Sequence, residues 1–101
     1  MLVAIICLGV TVNAENGDYC DDDGVRIELY SNGIFQLKLP GEDFIRGTYE
    51  IDYEEATITL IDSDGSEFNG RYYRGVYYRN GQIKTPAKVV LWGYTLKKDA
   101  C

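Results

Sequence analysis

At 101 residues and a formal net charge of −6, the chain is long enough for one small domain and lacks the overall basic character of a nucleic-acid binder. It has no histidine, which removes the commonest general base at neutral pH and the commonest metal ligand. Nine tyrosines and eleven glycines, against two prolines and one tryptophan, suit a β-rich chain with many tight turns.

The first fourteen residues, "MLVAIICLGVTVNA", carry no charge and are mostly apolar. Val12-Asn13-Ala14 before Glu15 fits a small-x-small cleavage site, so residues 1–14 read as a secretory signal peptide and residues 15–101 as a single exported β-barrel domain. A basic leader segment is missing, since the first Lys or Arg is Arg26, and a buried first strand is the alternative. The apolar run is too short for a transmembrane anchor across a hydrocarbon core of ~30 Å. Ile6 before Cys7 is bulkier than lipoprotein processing prefers. Cleavage would remove Cys7 and leave Cys20 and Cys101, and an even pair in an exported small domain implies a disulfide. Such a bridge would close most of the mature chain, worth ~4–5 kcal/mol in the chain-entropy treatment. Free thiols at the two ends are the alternative.

Next comes "YCDDDG". It reads as a solvated turn entering the first strand, because consecutive aspartates on extended backbone point to opposite sides and do not converge on a cation. Asx-Gly pairs then punctuate the chain at 16–17, 23–24, 32–33, 64–65, 69–70 and 80–81, with apolar and polar residues alternating between most of them. That is the pattern of antiparallel strands joined by hairpins.

Register follows from the apolar sets. Over 25–30 and 34–39, a two-residue Asn32-Gly33 turn would put the apolar faces on opposite sides. A three-residue Ser31-Asn32-Gly33 loop pairs Leu29 with Phe35, Ile27 with Leu37 and Val25 with Leu39. The strand over 44–53 pairs Tyr49 with Leu60 and Ile51 with Ile58, leaving Glu54-Glu55 at a tip. Ser63-Asp64-Gly65 repeats the three-residue turn and pairs Leu60 with Phe68 and Ile58 with Gly70. In "GRYYRGVYYRNG", this register sends Tyr72 inward, together with Tyr78 if the strand is unbroken. Arg71, Tyr73, Tyr77 and Arg79 then form an outer face, the candidate ligand-binding surface. Plain strand tyrosines with wet hydroxyls are the simpler explanation, and a bulge or corner at Gly75 would invert the second half and put Tyr77 inside. Thr85-Pro86-Ala87 reads as a loop. Residues 88–97, apolar on both sides over Val89–Trp92, read as one last strand covered on both faces.

About six or seven strands are expected, as an all-β, small antiparallel meander barrel, with a two-sheet β-sandwich as the alternative. Phe35, Leu37, Tyr49, Ile51, Leu60, Phe68 and Tyr72 should fill its interior.

Catalysis finds little footing. Ser31, Ser63 and Ser66 sit at or beside turns with no histidine to activate them, and the carboxylates of Asp52, Glu54 and Glu55 stand at a hairpin tip. "DDDG" has neither the alternating oxygen ligands nor the glutamate at position twelve of a calcium loop, and "DSDGSE" is already accounted for by register as a hairpin tip. No catalytic residue, metal site or cofactor is expected.

The stretches "VRIELYSNGIFQL", "IRGTYEID", "ITLIDSDG" and "WGYTLKK" resemble the rhythm of exported lipocalin-like small barrels of Gram-negative bacteria. "CDDDGVRIEL" resembles the entry to the barrel of copper-homeostasis envelope lipoproteins. Asp23 stands where that family has its second cysteine, so no metal sensing is carried over. The lipocalin-like resemblance implies a barrel that binds a small ligand and implies no catalytic residues. The expected function is a non-enzymatic binding or interaction module, secreted or held in the periplasm or cell envelope, with a protein, peptide or glycan partner. The alternative is a lipocalin-like carrier with an apolar ligand inside.

Overall fold

The computed structural model describes residues 15–101, and the signal-peptide reading of residues 1–14 lies outside them. Eight strands close into an antiparallel barrel: β1 (Gly17–Cys20), β2 (Arg26–Leu29), β3 (Ile34–Lys38), β4 (Ile45–Asp52), β5 (Thr57–Asp62), β6 (Glu67–Tyr73), β9 (Lys88–Leu91) and β10 (Tyr94–Lys98). Between β6 and β9, a separate two-stranded sheet forms from β7 (Val76–Tyr77) and β8 (Ile83–Thr85). The barrel is an up-and-down meander from β1 to β6, with β9 beside β6 and β10 closing onto β1.

The hairpin registers agree with the apolar pattern. Leu29 faces Phe35 and Ile27 faces Leu37. Tyr49 faces Leu60 and Ile51 faces Ile58; Leu60 faces Phe68 and Ile58 faces Gly70. The turns that set them share one hydrogen-bond scheme. Gly33 N–H donates to Tyr30 and Gly65 N–H to Asp62, while Tyr30 N–H reaches Ile34 and Asp62 N–H reaches Ser66. Gly33 and Gly65 carry φ of +84° and +93°, the left-handed position at which this loop type needs glycine.

Two segments depart from the sequence reading, and together they raise the barrel count to eight. Residues 88–97 do not form one strand. Trp92-Gly93 makes a two-residue turn with φ of +52° and +83°, so Leu91 faces Tyr94. Positive φ at both central positions is what the twist of a tight hairpin favours. Tryptophan is rarely found in this conformation, and here its ring packs edge-on against Phe68, centroids 5.2 Å apart. The expected two-sided burial accordingly gives way to alternation, with Val89 and Leu91 buried and Trp92 half-exposed. The second departure is at "GDYC", which forms β1 before the aspartates begin. The aspartates do make a turn: Asp21 Oδ1 accepts from the N–H groups of Asp23 and Val25 at 2.9 and 2.8 Å.

Inside, Tyr19, Ile27, Leu29, Phe35, Leu37, Ile58, Leu60, Val89, Leu91 and Leu96 are buried, with Ile51 and Phe68 packed partly covered against them. Where strands bend round the core, side chains give way. A Cβ at Gly70 would come 2.5 Å from the Val90 carbonyl and 3.2 Å from Leu91, so only glycine lets β6 lie this close to β9.

The closing seam is short. Lys97 faces Cys20 and Lys98 faces Tyr19, and Asp99 N–H extends the pairing to the Asp18 carbonyl at 2.9 Å. Cys20 and Cys101 are joined across it, Cα atoms 5.2 Å apart and 81 residues apart in sequence. The bridge therefore clips β1 to the chain just beyond β10.

Candidate functional site: a basic aromatic arm

At Arg74 the chain leaves the barrel wall. β6 ends at Tyr73, opposite Lys88, and the next residues fold on each other instead of on the barrel. The two legs come together at Gly75, where a Cβ would lie 3.2 Å from the Ala87 nitrogen and 3.4 Å from the Thr85 carbonyl. Glycine there permits a narrow neck. Val76 faces Thr85 and Tyr77 faces Ile83, with a bulge between the two pairs. Arg79-Asn80-Gly81 caps the arm with the same scheme as the two barrel hairpins: Gly81 N–H donates to Tyr78 at 2.9 Å, and Tyr78 N–H to Gln82 at 2.8 Å. One local device thus builds three turns.

This break divides the expected outer face. Arg71 and Tyr73 lie side by side on the outside of β6, the Arg71 guanidinium 6.0 Å from the Tyr73 ring centre. Tyr77 and Arg79 lie beyond the neck, on the arm and in its cap. Tyr78, expected to join Tyr72 inside, is exposed, because the face parity of an unbroken strand does not carry across Gly75.

The structure adds residues, on the arm and on the barrel strand beside it, that were not singled out in the sequence. Lys88 Nζ sits 5.0 Å from the Tyr73 ring centre, so that ring has two cations near it. Lys84 approaches the Tyr78 ring at 5.9 Å. Five of the eight large apolar or aromatic side chains that are exposed among the described residues are Tyr73, Val76, Tyr77, Tyr78 and Ile83. No ion pair among the described residues involves Arg71, Arg74, Arg79, Lys84 or Lys88; one that forms elsewhere joins Arg26 to Asp18 at 2.9 Å.

The chemical signal for this region was in the sequence as charge order. Between Glu67 and Asp99 there is no acidic residue, and the stretch holds seven of the chain's ten Lys and Arg. Fifteen of its sixteen Asp and Glu precede it. Net charge averages the two away, so an acidic protein carries a cationic arm.

Tyrosines also gather at one end of the barrel, to a different effect. The Tyr19 hydroxyl donates to the Glu15 carbonyl at 2.7 Å and stands 3.4 Å from the Tyr72 hydroxyl. Tyr49 donates to the Tyr30 carbonyl at 2.7 Å. Tyr53 donates to Glu15 Oε1 at 3.0 Å, with Arg74 4.3 Å from its ring centre. Burial is the main cause that raises the pKa of each of these phenols. Tyr49 is pushed up to about 12, and Tyr19, Tyr53 and Tyr72 are raised as well, all four with the Glu15 charge adding to the effect. These groups hold their protons and plug the barrel end. Shallow, open grooves flank the plug, one of them lined by Glu50, Asp52, Tyr53, Glu54, Thr57 and Arg74. Asp52 Oδ1 is occupied by the N–H groups of Glu54 and Glu55, at 3.0 and 3.1 Å. Among the described residues no three His, Cys, Asp or Glu side chains are grouped as a metal site, and no helix is long and apolar enough to cross a membrane.

Comparison with known protein families, curated proteins and solved structures returns no match to this chain.

Proposed function

We propose that this protein is a non-enzymatic binding module of the cell envelope or extracellular space, and that the β7–β8 arm with the adjoining outer face of β6 is its working surface. One observation carries the reading: the segment that the barrel does not need for closure exposes Val76, Tyr77, Tyr78 and Ile83 in a stretch that holds Arg74, Arg79 and Lys84 and no acidic residue. A strand inserted only for stability would bury its apolar side chains, whereas Val76, Tyr77 and Ile83 are about half exposed. Tyr with Arg is a frequent pairing in binding surfaces, where a rigid ring gives area and a guanidinium gives direction. Arg71, Tyr73, Tyr77 and Arg79 remain in the site, now as two groups joined by the neck, with Lys84, Lys88 and Tyr78 beside them.

Export is supported by the bridge between Cys20 and Cys101, since such bonds persist in oxidising compartments. Eight strands in an up-and-down closed barrel support the lipocalin-like resemblance at the level of architecture. The carrier alternative draws less support, because Phe35, Leu37, Leu60, Leu96 and the tyrosine plug occupy the interior.

Photo-crosslinking in the producing cells tests the reading. A Tyr78→p-benzoylphenylalanine protein should capture a partner that the same probe at Thr59, on β5 of the barrel wall, does not. Adding Tyr77→Ala and Arg79→Ala should abolish capture. Equal capture from both positions, or none from Tyr78, overturns the assignment of the arm.

A further inference from the structure

Barrel topology sorts the connections into two sets. In a closed up-and-down meander, alternate turns return to the same end. The turns β1–β2, β3–β4, β5–β6 and β9–β10 therefore share one end. The turns β2–β3 and β4–β5 share the other with the arm, together with the residues after β10 and before β1. Contacts agree with this sorting. A Cβ at Gly24, in the β1–β2 turn, would lie 3.5 Å from Cγ of Pro40, in the β3–β4 turn. Trp92, in the β9–β10 turn, packs on Phe68 near the start of β6.

The two ends differ in charge. The first set of turns holds Asp21, Asp22, Asp23, Glu42, Asp43 and Asp64, and no Lys or Arg. Two cations on the adjoining strand ends are engaged: Arg26 pairs with Asp18, and Lys38 donates to the Leu39 and Glu42 carbonyls. A third, Arg46, lies in one cross-strand row with Gln36 and Glu28. At the other end, the arm over 74–87 holds Arg74, Arg79 and Lys84 and no acid. Beside its base Lys88 lies directly opposite Lys97, a like-charge pair that gains from a negative neighbour. Glu54 and Glu55 occupy the β4–β5 turn at that end, so its positive surface is the arm and the strand ends next to it.

Exposed apolar side chains follow the same division. Phe44, 56% exposed, and Trp92, 49%, stand at the acidic end. Tyr53, Tyr73, Val76, Tyr77, Tyr78 and Ile83 stand at the arm end. Among the described residues no large exposed hydrophobic side chain lies on the wall between. An anionic surface or an acidic polymer would cover the arm and leave Phe44 and Trp92 in water. A second copy covers both ends with one kind of contact.

From the opposed charges and the apolar side chains at both ends, we infer that the arm of one molecule docks on the acidic end of the next, so that the protein assembles head to tail. The inference rests on the arm being the working surface and names what it binds, a second copy of this chain. Such a contact joins two different patches, and patches at opposite ends of a barrel lead to an open row of molecules. Rings and aliphatic side chains supply area, and the opposite charges set the order.

Sedimentation velocity tests this on the protein purified from its producing cells, with its disulfide intact. The sedimentation coefficient should rise with concentration and pass beyond the dimer. Raising salt from about 0.05 to about 0.5 M should weaken the association roughly tenfold. Tyr77→Ala with Arg79→Ala removes one patch, and Asp22→Asn with Glu42→Gln and Asp43→Asn removes the other. Each variant alone should be monomeric and remain folded by its far-ultraviolet spectrum. An equimolar mixture of the two should give a dimer and nothing larger, because one working arm meets one working end. A monomer at every concentration overturns the inference. So does growth by either variant alone, a mixture that stays monomeric, or an unmutated protein that stops at the dimer. The two readings fail separately. If position 78 captures only a different molecule, the arm remains the working surface and self-assembly is lost. If position 78 captures nothing, both fall.

Discussion

Tyr72 and Tyr73 are neighbours in the chain with opposite circumstances. Tyr72 points into the barrel, 3% exposed, its ring edge-on to Tyr19 and Tyr53 and its hydroxyl within reach of the Tyr19 hydroxyl. Tyr73 points outward, with Arg71 and Lys88 near its ring. The same pairing of roles extends to the groups around them. Tyr19, Tyr49 and Tyr53 are tied to the barrel end by hydrogen bonds, whereas Tyr77 and Tyr78 are exposed on an arm that, among the described residues, pairs with no barrel strand. Strand parity alone separates Tyr72 from Tyr73. The lesson is that the tyrosines of this chain stand in two settings, one buried and hydrogen-bonded, the other exposed beside cations.

Mutation should expose that division, beginning with the largest effect. Tyr72→Ala removes a buried ring and should cost about 3–5 kcal/mol in urea unfolding; a loss below about 1 kcal/mol would show that the plug is not core. Reduction of the disulfide, or Cys101→Ser, should cost about 2–5 kcal/mol by thermal or chemical unfolding, yet leave capture through position 78 intact wherever the barrel remains folded. Gly70→Ala, which forces a Cβ against the Val90 carbonyl, should cost about 1–3 kcal/mol.

Alkaline pH sharpens the contrast differently. In the unfolded chain, phenols ionise near their ordinary value of about 10. In the folded barrel Tyr49 holds its proton up to about 12, with Tyr19, Tyr53 and Tyr72 also raised. The unfolded state therefore releases protons first, so the stability these groups contribute is complete below pH 10 and falls as pH rises through about 12. Melting temperatures taken across that window should decline, and a flat profile would deny the plug its burial. The smallest effects belong to the outer set: Tyr73→Ala and Arg71→Ala should shift stability by less than about 0.5–1 kcal/mol while weakening partner capture. Unfolding by either change would make that face part of the core.

Much of the barrel was legible because alternation and turn length act together. Leu29 opposite Phe35 and Leu60 opposite Phe68 each follow from the rule that a one-residue slip turns a whole face round. Trp92 was not legible, because tryptophan signals a strand interior and here it supplies a turn with positive φ, held by its contact with Phe68. β1 was hidden by the three aspartates after it, which drew attention to the turn and away from Tyr19, a core residue. For the arm, Arg71, Tyr73, Tyr77 and Arg79 were visible as residues but not as a shape. Parity is a local rule and fails at the first residue where the chain changes sheets. Lys84 and Lys88 were recoverable from the acid-free stretch, a feature of charge order that composition conceals.

The seam between β1 and β10 has a consequence in time. Hairpins from β2 to β6 join neighbours in sequence and can form as soon as each is made, but Cys20 must wait for Lys97. Contacts of that sequence separation are slow to form, because most of the chain's freedom must be surrendered before they contribute. A refolding experiment followed by hydrogen exchange should therefore find the β1–β10 pairing protected after the β2–β6 hairpins.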